Sequence, residues 1–312
     1  MTRSNRAGGG RGRRASPRGY AADRVADCIA DSAGGITFDI AGEARPDAML
    51  VLRRRALRAG DPAGAAGSGA RGSGSGAGTG AGADDEVRLP LTGAGESLLR
   101  AVLPSTVELA EGHWDIFTGA RGELPVRPGI RDVRALVGRT PGAGRVAARI
   151  PYPTPDGRLA VRSWVRAPHA EAGTVRCEPG ATTVEGVLYG AELGEGAVAE
   201  ARLRGTGRSH RVAVTGCGGA FAFTLPYGPL AARPVEQRQW WDLWLLPARN
   251  AAAVRISRIL DDIWDKRFAL VHPAHLSHPD RGAYGWLAAP CYTGDNDFSV
   301  RLDPAPLPAT TP

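Results

Sequence analysis

The sequence predicts an all-β fold: two tandem antiparallel β-sandwich domains of the immunoglobulin-like kind, related by internal duplication, behind a disordered N-terminal tail. Three observations carry this prediction. First, one pattern occurs twice. Trp114-Asp115-Ile116-Phe117 leads to Pro151-Tyr152-Pro153-Thr154, and Trp241-Asp242-Leu243-Trp244 leads to Pro290-Cys291-Tyr292-Thr293. A self-similarity this long marks a duplicated structural unit. Second, short apolar runs recur between Gly/Pro turns, the signature of sandwiches. Third, helical periodicity is sparse, which argues against a doubly wound α/β sheet. The second copy is longer between its landmarks, so a loop insertion is expected there.

Taken in order, residues 1–18 carry Arg3, Arg6, Arg11, Arg13, Arg14 and Arg18 without an acid or an aromatic residue, and are read as a disordered, solvated tail. In 19–33, Val25, Cys28 and Ile29 fall at i, i+3 and i+4, which predicts one short amphipathic helix. From Ile36 the pattern alternates, and 34–167 is assigned to the first sandwich repeat. Within it, 60–83 is almost wholly Gly, Ala and Ser and reads as a flexible hairpin insertion. Residues 168–181 are polar and punctuated by Pro and Gly, and are read as the linker. The second repeat is assigned to 182–303, and 304–312 to a disordered tail. In Ala220-Phe221-Ala222-Phe223-Thr224-Leu225 alternation puts Phe221, Phe223 and Leu225 on one face.

Composition excludes several functions. The chain has 312 residues, enough for two cores, and 43% of them are hydrophobic. Its formal charge is +7, but the basic tail accounts for nearly all of it. The body has no basic face for nucleic acid, so no nucleic-acid partner is expected. Cys28, Cys177, Cys217 and Cys291 form no CxxC pair, so no zinc ribbon is expected and the thiols read as reduced. No apolar stretch is long enough for a secretory signal or a membrane span, which places the chain in the cytoplasm, with peripheral attachment to the inner membrane through a partner left open.

Catalytic signatures are missing. The only lysine, Lys266, follows Asp265 rather than glycine, so there is no phosphate-binding loop. A G-x-S-x-G nucleophile elbow does not occur. Asp115 and Asp242 recur in both copies, as do Asp132 and Asp262, and a catalytic residue seldom appears twice in one monomer. These acids are read as turn-forming residues that hold the fold. Trp114 and Trp241 are read as core anchors.

Function is therefore sought in what differs between the copies, and the second is richer. It holds Trp240, Trp241, Trp244, Trp264 and Trp286, and the loop histidines His272, His275 and His278. Alternation puts Trp240 and Trp244 on one strand face and Trp241 on the other. Exposed Trp beside Asp and Arg suits sugar recognition. The candidate ligand-binding residues are Trp240, Trp244, His275, Tyr292, Asp295 and Asp297. The Asp295-Asn296-Asp297 turn lacks the spacing and distal Glu of a calcium loop, and histidines stepped by three in a Pro-rich loop do not share a strand face. No metal and no cofactor are expected.

The segment from Arg258-Ile259-Leu260-Asp261-Asp262-Ile263-Trp264-Asp265-Lys266 to Pro290-Cys291-Tyr292-Thr293-Gly294-Asp295-Asn296-Asp297-Phe298 resembles actinobacterial tandem β-rich repeat proteins that accompany, or are fused to, glycosyltransferases making cell-surface polymers. Such proteins are often labelled "transferase". The resemblance carries no catalytic motif and transfers no active-site residue. It implies a non-catalytic accessory protein of the cell envelope that docks a glycan or a glycosyltransferase. Two alternatives stand beside it: a transferase with its site in the second repeat, and a purely structural interaction module.

Overall fold

The computed structural model describes residues 24–43, 47–56, 85–142, 144–231, 235–277 and 285–305. The expected tail at 1–18, the insertion at 60–83, His278 and most of 304–312 lie outside them. The described chain is built almost entirely of strands. The first repeat comprises β1 (Arg24–Ala30), β2 (Ile36–Ala41), β3 (Met49–Arg54), β4 (Glu86–Pro90), β5 (Thr92–Gly95), β6 (Leu98–Leu103), β7 (Gly112–Thr118), β8 (Leu124–Asp132), β9 (Val146–Pro153) and β10 (Leu159–Arg166). The second comprises β11 (His169–Glu178), β12 (Ala181–Tyr189), β13 (Val198–Leu203), β14 (Ser209–Ala213), β15 (Thr215–Cys217), β16 (Ala220–Pro226), β17 (Gln239–Leu246), β18 (Val254–Ser257), α1 (Lys266–Ala269), β19 (His275–Ser277), β20 (Trp286–Tyr292) and β21 (Phe298–Pro304).

The duplication is written in the pairing. In the first repeat β1 pairs with β2, β2 with β6, β6 with β5, β3 with β4 and β7, β7 with β8 and β10, and β10 with β9. In the second, β11 pairs with β12, β12 with β16, β16 with β15, β13 with β14 and β17, β17 with β18 and β21, and β21 with β20. Registers agree as well: Val161 lies opposite Trp114 and Pro151, and Val300 opposite Trp241 and Pro290. Among the described strands and the α-helix of the second repeat, only α1 and β19 lack counterparts, and they fill the stretch where the second copy is longer.

The sheets are mixed rather than purely antiparallel. β1 runs parallel to β8, and β11 parallel to β18. In each repeat this strand joins two layers at one edge and closes them over a core. Phe38, Ile40 and Leu99 meet Leu50, Trp114 and Val161 in the first core. Phe221, Phe223 and Leu225 meet Trp241, Leu243 and Val300 in the second, as the alternation predicts.

Four expectations are corrected. Residues 24–30 form a strand, not a helix: Ala26, Cys28 and Ala30 are buried at period two while Val25 and Ile29 face solvent. The helical spacing arose from apolar residues on both faces of a strand whose outward face is exposed. Residues 168–181 are not a linker, because His169–Glu178 is β11, a full strand of the second sheet. Its outward polar residues disguised it. Asp115 and Asp242 do not make turns. They sit mid-strand and form ion pairs with Arg55 and Arg204, residues at matching positions of the two copies. The counterpart of Asp132 is Asp261 rather than Asp262: each accepts an amide hydrogen bond from the residue two places on, Arg134 and Ile263.

The repeats meet face to edge. Tyr152, Arg162, Trp164 and Arg166 lie on the outer face of β9 and β10. Against them pack the Ser257–Asp297 bridge region and the loop after β18. Trp264 stacks on Tyr152 with centroids 4.4 Å apart, and Ile259 joins the first core with no exposure. Arg162 pairs with Asp295 at 2.9 Å, Trp164 Nε1 donates to the Asp295 carbonyl at 3.2 Å, and Arg166 pairs with Asp297 at 2.9 Å.

Candidate functional site

The pocket lies in the second repeat and is built from features that the first lacks. β11 bulges between Ala172 and Val175, whereas β1 pairs with β2 without interruption. A bulge breaks the ladder and redirects the chain, and bulges gather beside functional sites. Gly173, Thr174 and Val175 form one wall here, Arg258, Leu270 and His272 another, and Tyr292 the floor of an open pocket of about 450 Å³. By pairing register, Tyr292 stands where the first repeat has Pro153.

One polar atom in this region, His272 Nε2, is buried without a hydrogen-bond partner, and the buried Tyr292 hydroxyl has Arg258 as its polar neighbour. An orphaned buried polar group costs ~1–3 kcal/mol, so its presence asks for a reason. Burial pushes the Tyr292 phenol up to about 12, with the Arg258 charge opposing it. Burial, then Arg258, depresses the His272 pKa, so its imidazole is neutral at pH 7 and offers one donor and one acceptor. His272 packs against the rings of Tyr292 and Phe298 at 6.1 and 6.3 Å. Arg258 is fixed by Asp261 at 3.2 Å and by the Gly173 carbonyl at 2.9 Å.

The carboxylates that act on Tyr292 are engaged elsewhere. Glu171 accepts amide hydrogen bonds from Ile259 and Leu260. Asp261 accepts from the fully buried Lys266 Nζ at 2.7 Å. Burial depresses the Lys266 pKa, and Asp261 opposes that shift. Asn296, at a positive φ of 60°, ties the loop to the turn by donating to Ile263 and Trp264 carbonyls.

The six residues singled out from sequence do not converge. Tyr292 lines the pocket. His275 lies on β19, with Nε2 buried and unpaired. Asp295 and Asp297 are bound to Arg162 and Arg166 across the repeat interface, so their role there is to hold the two repeats together. Trp240 and Trp244 do share the outer face of β17 while Trp241 is buried, but arginines lie over their rings: Arg204 at 5.4 Å, and Arg202 at 4.8 Å and Arg255 at 5.4 Å. Sequence reasoning missed Arg258 and the Gly173–Thr174 bulge. Aligning the copies beyond their tryptophans would have found Arg258, which occupies the position that Gly129 holds in the first repeat.

Among the described residues, no group of three or more His, Cys, Asp and Glu side chains is placed to hold a metal ion. No helix among them is long and apolar enough to cross a membrane.

Neither a comparison with protein-family models nor one with curated proteins finds a match. Two solved structures of S. aureus TarS are similar over part of the chain. The 217–571 fragment is 15% identical with a TM-score of 0.36, covering 46% of this chain and 40% of that one. A second TarS structure is 13% identical with a TM-score of 0.37, covering 54% of this chain and 29% of that one. This chain therefore spans well under half the length of either, and a likeness of this degree carries no function across.

Proposed function

We propose that the chain is a non-catalytic binding module whose second repeat holds a glycan in the pocket between Arg258, His272 and Tyr292. The observation that supports this reading is a pocket in the second copy of a duplicated scaffold, lined by Arg258, His272 and Tyr292 beside a strand bulge that the first copy lacks. A sugar hydroxyl both donates and accepts, which suits a neutral imidazole and a phenol held above its usual pKa. The guanidinium of Arg258 adds fixed donors, and the volume lies within the range of small-ligand sites. With Glu171 and Asp261 committed to amides and cations, the pocket has no free carboxylate pair for glycosidic chemistry. The sequence resemblance points to a cell-surface polymer as the natural glycan and to a glycosyltransferase as the accompanying protein.

Calorimetric titration with a panel of neutral and acidic oligosaccharides tests this. Tyr292→Phe, which removes only the hydroxyl, is expected to weaken binding about 5- to 10-fold, the worth of one hydrogen bond of about 1 kcal/mol. Trp240→Ala is expected to leave binding unchanged. Absence of binding to every sugar, or a loss with Trp240→Ala and none with Tyr292→Phe, would sink the proposal.

A second expectation concerns pH. Below about 6.5 the unfolded chain protonates its histidines, while His272 in the folded chain resists. The unfolded state then binds more protons, so stability should fall as pH drops below that value. His272→Gln should reduce the loss of melting temperature between pH 8 and pH 5.5. An identical loss in wild type and variant would exclude His272 as its source.

A further inference from the structure

Each repeat has an outer face and an edge, and inside the chain only one of each is used. The face of the first repeat, with Arg162 at its centre, receives the edge of the second, with Ile259 and Asp295 at its tip. Among the described residues, the equivalent edge of the first repeat and the equivalent face of the second keep apolar side chains exposed. Equivalence follows from the shared pairing. Ile130 corresponds to Ile259, because Asp27 takes its amide as Glu171 takes that of Ile259. Asp156 corresponds to Asp295, two residues beyond Thr154 and Thr293 in matching turns. Arg301 corresponds to Arg162 by register.

The contrast in burial is large. Ile259 has no exposed surface, whereas Ile130 is 73% exposed. His169 is fully buried, whereas Val25, its counterpart in β1, is 42% exposed. The open edge thus presents two apolar side chains whose duplicates are covered. On the open face, β19 adds Leu276, which is 49% exposed, opposite Leu287 of β20. Charges are also complementary. The edge carries Asp156 and Arg158, paired with each other at 3.0 Å, and the face carries Arg301 and Asp303, paired at 2.6 Å. The register of the internal interface brings Asp156 to Arg301, as it brings Asp295 to Arg162, and Arg158 to Ala305, the counterpart of Arg166.

We propose that a second copy of this chain docks head to tail, the edge of its first repeat at Ile130 and Asp156 seated on the outer face of the second repeat at Leu276 and Arg301. The internal interface is the template, and its retained elements are the central Arg–Asp pair and the isoleucine. The Tyr152–Trp264 stack and the Arg166–Asp297 pair have no counterparts, since Cys291 stands at the tyrosine position and Ala305 at that of Arg166, so the contact between copies is the weaker one. Because the two surfaces differ, a docked pair leaves one edge and one face free, and assembly continues with concentration rather than stopping at a dimer.

Sedimentation velocity over a concentration series tests the proposal on the full chain. Wild type is expected to rise in mean mass past that of a dimer. Arg301→Glu spoils the face and Ile130→Arg spoils the edge; each should weaken association at least about 10-fold. Both residues are partly or largely exposed, so the melting temperatures should hold. Mixing the two variants leaves one intact edge and one intact face, and should restore dimers and nothing larger. Wild type that stays monomeric up to about 1 mM, at the weak end of the affinity scale, overturns the proposal. So does a mixture that stays monomeric, or variants that associate as wild type does.

Discussion

Arg166→Ala is expected to cost ~3–5 kcal/mol and to split unfolding into two transitions, the cost of removing one partner from a buried ion pair. Arg166 ends β10, the last strand of the first repeat, and its side chain is 13% exposed. It donates to Asp297 at 2.9 Å and to Glu111 at 3.1 Å, and also reaches the Ser257 hydroxyl. Burial alone would disfavour its charge, but Asp297 and Glu111 outweigh burial and hold its pKa above the ordinary arginine value. Asp297 is likewise held below the usual carboxylate range, because Arg166 and Arg255 outweigh its own burial. Removing Arg166 leaves Glu111 without its cation and Asp297 with only Arg255, at 3.5 Å. The loss falls on the contact between repeats, so each core should then melt on its own. Chemical denaturation followed by Trp fluorescence measures both the midpoint and the number of steps. A single transition displaced by under about 1 kcal/mol would show that the repeats are coupled by other means.

The duplication was readable because Trp-Asp and Pro…Thr anchors occupy strand positions where one face is buried, and burial constrains both copies alike. Alternation likewise separated Trp241 from Trp240 and Trp244 correctly. β1 and β11 escaped for a shared physical reason. Both run parallel to another strand and carry polar or mixed outward faces, so neither shows clean alternation of apolar residues. Of the site, the sequence singled out Tyr292 as a ligand candidate and reached His272 only as one of three loop histidines. The other walls come from a bulge and from α1 and the loop after it, where periodicity carries no signal. Asp295 and Asp297 looked like ligand groups because two acids in a turn with no partner nearby in sequence suggest something external. Their partners, Arg162 and Arg166, lie in the other repeat, and separation in sequence hid them.

The two buried tryptophans separate the cores most sharply. Trp114→Ala and Trp241→Ala are each expected to cost ~3–5 kcal/mol, since truncating a core aromatic loses its transfer energy and leaves a cavity. Trp114 is fully buried, and its Nε1 donates to the Ala110 carbonyl at 3.0 Å. Trp241 is 1% exposed, with Nε1 donating to Gln239 at 3.3 Å. Trp240, one residue away on the opposite face, is half-buried beneath the Arg204 guanidinium, so Trp240→Ala should cost under about 1 kcal/mol. The two core positions belong to separate clusters with no shared residue. Introduced beside Arg166→Ala, each should therefore lower one of the two transitions and spare the other, Trp114→Ala the first repeat and Trp241→Ala the second. Distant sites with no common partner add within a few tenths of a kcal/mol, so the assignment is clean. If both transitions shift together with either tryptophan removed, the insertion of Ile259 into the first core couples the repeats too strongly for them to melt apart.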